Sequence, residues 1–246
     1  MCWSGEASAT LAVAGVTGAI YFYKKGEPKV LCSALLYFTL IEILQAYTYT
    51  VIDQCQNPEN IWATTLSYIH VSFQPFFFNA IALHFIPADR REKIQKYVYA
   101  ICTLATIALL IRVLPLDWEY YCYQMSSYIP TSYKVPFCGP ETCSQTGSWH
   151  IEWAIRAGYN WYLDKAYWVS IFILPLLYGS WKVTVYCIIT GPMIAILTSS
   201  SANEFVAVWC IYSAGIILLL LNQPIRKYLY VDSFYGSKLF AYGKEK

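Results

Sequence analysis

The sequence predicts an all-α integral membrane protein, a bundle of seven transmembrane helices with its N-terminus outside and its C-terminus in the cytoplasm. Three observations predict this class: a shortage of charge, seven long apolar runs, and an uneven distribution of Lys and Arg. Only 13% of the 246 residues are charged and 57% are hydrophobic, whereas an ordinary soluble domain carries about 25% charged residues. A soluble surface needs more polar cover than this, so lipid is the expected solvent.

Seven apolar runs are long enough, at a rise of about 1.5 Å per residue, to cross the hydrocarbon core of a bilayer. They cover residues 7–23, 30–52, 61–86, 97–114, 166–181, 183–199 and 205–221. Only Lys182 separates the fifth run from the sixth, so one long hairpin kinked at Pro175 and Pro192 is an alternative. The first run carries a stripe of small residues at helical spacing, which lets another helix approach closely: Ser8, Ala12, Gly15 and Ala19.

The positions of Lys and Arg predict the orientation of these spans. When the connections are assigned alternately to two sides, all but four of the 17 Lys and Arg residues fall on one side, the exceptions being Arg112, Lys134, Arg156 and Lys165. Cytoplasmic connections carry an excess of Lys and Arg. The N-terminus is therefore expected outside, and residues 1–246 are expected to form a single transmembrane domain.

The one long connection, residues 115–165, is predicted to lie on the extracytoplasmic side. Its first half is rich in Pro, Gly and Ser and is expected to be a loop. From Ser148 onward Trp149, Trp153 and Trp161 recur among polar residues. This pattern favours a short helix over residues 148–163, capped by Ser148 and lying in the headgroup layer.

The nine cysteines divide between the two environments. Four lie in or at the ends of spans, where a cysteine usually acts as a small hydrophobic residue: Cys32, Cys102, Cys187 and Cys210. Five face the outside, where disulfides are expected: Cys2, Cys55, Cys122, Cys138 and Cys143. Cys138 and Cys143 can pair with each other, or one of them with Cys122 or Cys55. Five is an odd number, and Cys2 is the expected unpaired thiol.

Two of the predicted spans carry polar residues that share one helical face, with spacing i, i+3, i+7. They are Glu42, Gln45 and Tyr49 in the second span and Ser67, His70 and Gln74 in the third. These six residues are the predicted ligand-binding set. Glu42 and His70 both lie about 14–15 Å from the outer ends of their spans, so the two side chains are expected to meet. Three alternatives remain open for these two residues. They form a structural contact, they form a functional pair (a proton relay, ligand anchor or metal site), or they do not meet at all.

Cys2 and His150 are the candidate catalytic residues. If the initiator Met is removed, residue 2 presents both a thiol and an α-amine, which can act as a nucleophile with its own base or chelate a soft metal. His150 lies on the outer side, two residues from Glu152. The candidate metal ligands are Cys2, His70 and His150.

These features leave three hypotheses open for the function. The first is an outward-facing intramembrane pocket that binds or conducts an ion or small molecule. The second is a membrane-embedded enzyme that uses Cys2 as nucleophile or metal ligand, and the third is an accessory subunit of a larger membrane complex. The sequence has no haem, retinal or nucleotide signature and no basic patch for nucleic acid. It identifies the lipid bilayer as a partner and defines neither a cofactor nor an oligomeric state.

The opening MCWSGEAS resembles a family of small multi-span bacterial membrane proteins that begin MCFSA, followed shortly by an Ala-Ser pair. The family has a Leu-Ile/Thr-Glu element in its second helix, which LIEILQAY around Glu42 resembles, and a Pro in its third helix, matched here by Pro75. Trp3 and the Gly5-Glu6 pair depart from that pattern. The family has no assigned activity, so the resemblance implies a fold and points to Cys2, Ser4 and Glu42.

Overall fold

The computed structural model describes residues 4–113, 141–155, 161–199, 201–208 and 211–232, and it is mostly helical. Four long helices come first: α1 (Gly5–Lys24), α2 (Lys29–Thr48, followed by a 3₁₀ turn at Tyr49–Val51), α3 (Pro58–His84) and α4 (Ala88–Ile111). A two-stranded hairpin follows, with β1 (Cys143–Thr146) and β2 (Ile151–Ala154). Shorter helices come after the hairpin: α5 (Trp161–Trp168), α6 (Leu174–Leu177), α7 (Trp181–Ile188), α8 (Ile194–Thr198), α9 (Ala202–Ala207), α10 (Ile211–Leu221) and α11 (Gln223–Leu229).

Three helices in the described part of the chain are both long enough and apolar enough to cross a membrane. They are Lys29–Val51, Ala88–Ile111 and Trp181–Thr198, and a shorter apolar helix covers Lys165–Leu177. The sequence predicts seven spans. Fewer helices qualify in the structure because α1 and α3, although long, contain many small and polar residues, and because several later helices are short.

The later helices contain two π-helical turns, both close to proline. Val169–Ile173 joins α5 to α6, which has Pro175 in its first turn, and Ile189–Met193 joins α7 to α8 and contains Pro192. A proline removes one backbone donor, and a π turn is a common way for a helix to accommodate the resulting gap. A break at residues 178–180 separates α6 from α7, so the fifth and sixth predicted runs form separate helical segments.

The α1–α2 contact is built on small residues. Ser4 caps α1 by accepting the backbone N–H of Ala7 at 3.1 Å. The predicted stripe of α1 is buried, as expected from its spacing: Ser8, Ala12, Gly15 and Ala19. At Gly15 the helices are so close that an added Cβ would lie 2.2 Å from Oγ1 of Thr39. Only glycine fits at this position.

α3 is joined to its neighbours by hydrogen bonds that end on backbone carbonyls. Toward α4, the Tyr68 hydroxyl donates to Leu109 O and the Thr106 hydroxyl to Ser72 O, both at 2.8 Å. Toward the later helices, the Asn79 amide donates to Ser170 O at 2.8 Å. Such bonds join helices in a region where lipid supplies no hydrophobic drive for their association.

Residues 151–154 are a strand, so the predicted helix over 148–163 is wrong in this segment. β2 pairs antiparallel with β1, with Cys143 opposite Ala154 and Thr146 opposite Ile151. Three of the four residues of β2 are buried, namely Ile151, Trp153 and Ala154, and Glu152 is partly exposed. The spacing of the tryptophans suggested a helix, but backbone pairing with β1 decides the structure. Residues 156–160, in the same predicted helix, lie outside the described residues.

The hairpin is attached to the α2–α3 turn by a disulfide and by polar contacts. Cys55 and Cys143 form the disulfide, which is one of the pairings that the sequence left open; Cys122 and Cys138 lie outside the described residues. Asp53 accepts both the N–H and the hydroxyl of Thr146, at 2.7 and 2.6 Å. The hairpin therefore lies at the end of α2 where Val51 is found.

The opposite end of α2 is held by an ion pair. Arg226 of α11 donates through both guanidinium nitrogens to the two carboxylate oxygens of Glu27, in the α1–α2 turn. The Arg226 guanidinium holds the pKa of Glu27 below its usual range. A backbone bond from Val231 N–H to Phe85 O, at 3.0 Å, lies at the same end. α11 is thereby fixed against the turns of the first helices.

Substituting Gly15 tests the α1–α2 contact. Gly15→Ala places a methyl group in contact with Thr39 and should destabilise the protein by about 1–3 kcal/mol, the usual range for overpacking. Gly18→Ala is the matched control, because its Cβ would meet no atom closer than 3.7 Å. Thermal unfolding in detergent measures both. Equal midpoints for the two variants would contradict the close approach at Gly15.

Breaking the disulfide tests the attachment of the hairpin. The bond closes a segment with a sequence separation of 88 residues, and its loss should lower stability by about 2–4 kcal/mol. Cys143→Ser and Cys55→Ser should each lower the unfolding midpoint, and the double variant should lower it no further than the single variants. Peptide mapping without reductant should recover the Cys55–Cys143 pair. A Cys138–Cys143 crosslink in its place would contradict the structure.

Candidate functional site

Glu42 is a fully buried carboxylate in the middle of α2. Its exposed fraction is 0%, and neither carboxylate oxygen has a hydrogen-bond partner among the described residues. Most buried polar groups in proteins are hydrogen-bonded, and buried charges are normally paired. An uncompensated carboxylate in this position destabilises the fold, which marks Glu42 as a candidate functional residue.

Oxygen-bearing side chains lie around Glu42. The Ser8 hydroxyl, from α1, donates to Gln45 Oε1 at 3.4 Å, and it also lies close enough to the Glu42 carboxylate to interact with its charge. The Gln45 amide nitrogen donates to Ala207 O, in α9, at 3.4 Å. Thr39 is buried on the same face of α2. Residues from α1, α2 and α9 thus form a small polar site at the level of Glu42.

The hairpin and Tyr49 lie above this polar site. Tyr49 follows Glu42 by seven residues on α2, about 10 Å along the axis. Its hydroxyl is hydrogen-bonded to the backbone of Ile151 in β2, and it lies within electrostatic range of Glu42. Of the predicted ligand-binding set, the structure therefore brings Glu42, Gln45 and Tyr49 to one side of α2, beneath the hairpin.

His70 does not meet Glu42, and the predicted pairing of these two residues is wrong. The His70 ring stacks on Tyr37, with ring centroids 4.1 Å apart, and Tyr37 stacks on Phe77 at 3.6 Å. The Tyr37 hydroxyl donates to the His70 carbonyl oxygen. Tyr37 and Glu42 are five residues apart, about 140° around the helix axis. The equal depth that the sequence predicts is therefore not enough to bring the two side chains together.

The other two α3 residues of the predicted set have partners of their own. Gln74 accepts a hydrogen bond from the Tyr167 hydroxyl of α5. The Ser67 hydroxyl donates to Ala63 O, one turn earlier in α3, at 2.9 Å. The polar stripe of α3 is therefore engaged in contacts within and between helices, and it is not gathered around Glu42.

His150 lies in the hairpin turn and is buried against the α8–α9 connection. Its Nε2 lies 2.8 Å from Thr198 O, and its backbone N–H donates to Glu204 Oε1 at 3.4 Å. Trp149 N–H donates to the same oxygen at 2.8 Å. At Gly147 an added Cβ would lie 2.4 Å from both Glu204 Oε1 and His150 O. The turn therefore wraps tightly around a buried carboxylate.

Glu204 is a site residue that the sequence reasoning missed. Ser201 accepts the backbone N–H of Glu204 at 3.2 Å, and its own hydroxyl donates to Glu152 Oε1 at 2.6 Å. A Ser followed three residues later by Glu is the capping-box signal for a helix start, and the stretch SANE at 201–204 carries it. The signal marks the start of α9, but it does not reveal that Glu204 binds the hairpin.

Two of the three metal candidates, His70 and His150, are not brought together. Among the residues that the structure describes, no group of three or more His, Cys, Asp or Glu side chains is arranged to hold a metal ion. His70 and His150 contact different helices, as described above. Cys2, the third candidate and the proposed nucleophile, lies outside the described residues.

A family of unknown function, DUF5765, matches residues 6–230. The chain belongs to this family. The match includes Glu42, Pro75 and the hairpin and begins after Cys2 and Ser4, and it confirms the resemblance to a family without assigned activity. Comparison with curated proteins and with solved structures finds no match.

The burial of His150 predicts how stability changes with pH. Burial lowers the pKa of its imidazole, although Thr198 O and the Glu204 carboxylate act in the opposite direction. When the folded-state pKa lies below the ordinary value of about 6.5, the unfolded chain takes up the proton first as the pH falls. The free energy of unfolding should therefore decrease as the pH falls below about 6.5. The decrease should end once the pH lies below the folded-state pKa of His150.

Thermal unfolding between about pH 8 and pH 5 measures this effect. His150→Gln keeps a donor that can reach Thr198 O and removes the titrating group, so its midpoint should vary less over this interval. A variant whose midpoint falls as steeply as that of the wild type would show that His150 is not responsible.

Proposed function

We propose that this protein is a multi-pass membrane protein with seven spans, its N-terminus outside and its C-terminus cytoplasmic, whose polar site around Glu42 binds or conducts an ion or small molecule. The three helices of transmembrane character support membrane insertion. The disulfide-bonded hairpin lies at the end of α2 that is poor in Lys and Arg, and disulfides form outside the cytoplasm. Arg226 and Lys182 lie in the segments predicted to face the cytoplasm.

The single observation that carries the functional part is the buried, unpartnered Glu42 carboxylate. A structural role in joining helices would give its oxygens protein donors, as Asn79 and Gln74 have protein partners. Both Glu42 oxygens are buried without a hydrogen bond of ordinary geometry, and only the Ser8 hydroxyl, among the described side chains, is close enough to interact with the carboxylate. Intramembrane ionisable residues generally mark ligand or ion pathways. A ligand that completes the site would remove the cost of burying the carboxylate alone.

The proposal is tested by ligand-dependent thermal stability of the purified protein in detergent. A panel of alkali-metal chlorides, organic ammonium salts and small neutral solutes is added, and the unfolding midpoint is followed by tryptophan fluorescence. A ligand that binds the folded state stabilises it by about 2.7 kcal/mol at 100 times its Kd. At least one solute should raise the midpoint of the wild type, and Glu42→Gln, which keeps the shape of the side chain, should abolish that rise.

Glu59→Gln is the matched control for this measurement. Glu59 is an exposed carboxylate in the first turn of α3, so its replacement should leave the ligand effect unchanged. In the absence of ligand, Glu42→Gln should unfold at the same temperature as the wild type or higher, because it removes a buried charge without a partner. The proposal fails if no solute stabilises the wild type, or if the stabilisation is retained in Glu42→Gln.

A further inference from the structure

We infer that the ligand of the Glu42 site is a monovalent inorganic cation, bound by the Glu42 carboxylate together with the Ser8 hydroxyl and the Gln45 carbonyl oxygen. This inference rests on the proposed function and gives it a ligand class. It is carried by the charge of the site, the chemistry of its donor atoms and the close packing around it.

Among the described residues, no cationic side chain balances the Glu42 carboxylate. Glu42 makes no ion pair with any described Lys, Arg or His side chain, and both of its oxygens are buried. Neither Ser8 nor Gln45 carries a charge, and the nearest acid of α9, Glu204, binds the hairpin turn instead. A single carboxylate is balanced by a single cationic charge, whereas an anion in the same place would add to the electrostatic cost.

The donor atoms are oxygens, which are the ligands that hard cations prefer. Gln45 directs its amide nitrogen to Ala207 O, so that its Oε1 is turned toward Ser8. Ser8 therefore brings a hydroxyl from α1 to the same point at which α2 brings a carboxylate and an amide oxygen. A Ca²⁺ site needs six to eight oxygen ligands, and the described residues offer no cluster of three acidic or His side chains.

The packing favours a small ligand over an organic one. Ser8, Thr39, Glu42 and Gln45 are all fully buried. Two turns along α1, Gly15 touches Thr39 so closely that even a methyl group would overlap it. An organic ammonium group would have to push α1 away from α2 here. A dehydrated alkali cation is smaller than an organic ammonium group and requires less displacement.

The test compares NaCl, LiCl and KCl with choline chloride at equal ionic strength, using thermal unfolding of the full chain in detergent. Na⁺ should raise the unfolding midpoint in a saturable way, and choline should not. Glu42→Gln should abolish the Na⁺ effect, and Glu59→Gln should retain it. Ser8→Ala removes one ligand from a position where a small residue packs well, and it should weaken Na⁺ binding by about tenfold.

The outcomes separate this inference from the proposed function. Suppose that no alkali cation stabilises the wild type, that an organic solute does, and that Glu42→Gln abolishes that effect. The inference of a cation ligand is then wrong, and the proposed ligand-binding function is retained. If no solute of any class stabilises the protein, both fail. If the Na⁺ effect survives in Glu42→Gln, or is as strong in Ser8→Ala as in the wild type, Na⁺ binds elsewhere and the inference is wrong.

Discussion

Buried polar groups inside a bilayer have no water to bond with, and the arrangement of α3 follows from that constraint. Its side chains donate hydrogen bonds to backbone carbonyls of neighbouring helices: Tyr68 donates to Leu109 O near the end of α4, and Asn79 donates to Ser170 O in the later helices. In the other direction, Thr106 of α4 donates to Ser72 O of α3. Helices on both sides are thereby fixed to one central helix. Against this background both oxygens of the Glu42 carboxylate are buried outside such bonds, as is Nε2 of His70 in α3 itself.

The position of the hairpin depends on one buried amide. Asn60, in the first turn of α3, donates to Val51 O and Ser144 O and accepts Ser144 N–H, at 2.8, 3.0 and 2.9 Å. It therefore joins the end of α2, the start of α3 and β1 in a single fully bonded junction. Together with the Cys55–Cys143 bond, this junction sets where β2 lies above α2, and hence what covers Glu42.

The sequence predicted those features that depend on local periodicity. The small stripe of α1 and the buried polar face of α2 follow from residue spacing, whereas the sequence left open whether the fifth and sixth runs are separate spans or one kinked hairpin. The β1–β2 hairpin was not predicted, because its strands depend on pairing between distant residues and on Asn60, which spacing does not reveal. Glu42 and His70 were predicted to lie at equal depth, but depth gives no angle around the helix axis, and His70 stacks on Tyr37 instead.

A ligand can reach a buried site only if part of the protein around it moves. The two elements next to Glu42, the hairpin and α1, are held by interactions of unequal strength. The hairpin is fastened by a disulfide and by the bonds of Asp53 and Asn60. α1 is joined to α2 by small residues in van der Waals contact and by the long Ser8–Gln45 bond. On its other side α1 borders an apolar groove of about 830 Å³, with Ile217 and Leu221 of α10 across it. Tilting α1 away from α2 breaks fewer strong interactions than lifting the hairpin does. Because Ser8 lies on α1, such a tilt would also withdraw one of the proposed ligands, which couples opening of the site to release of what it holds.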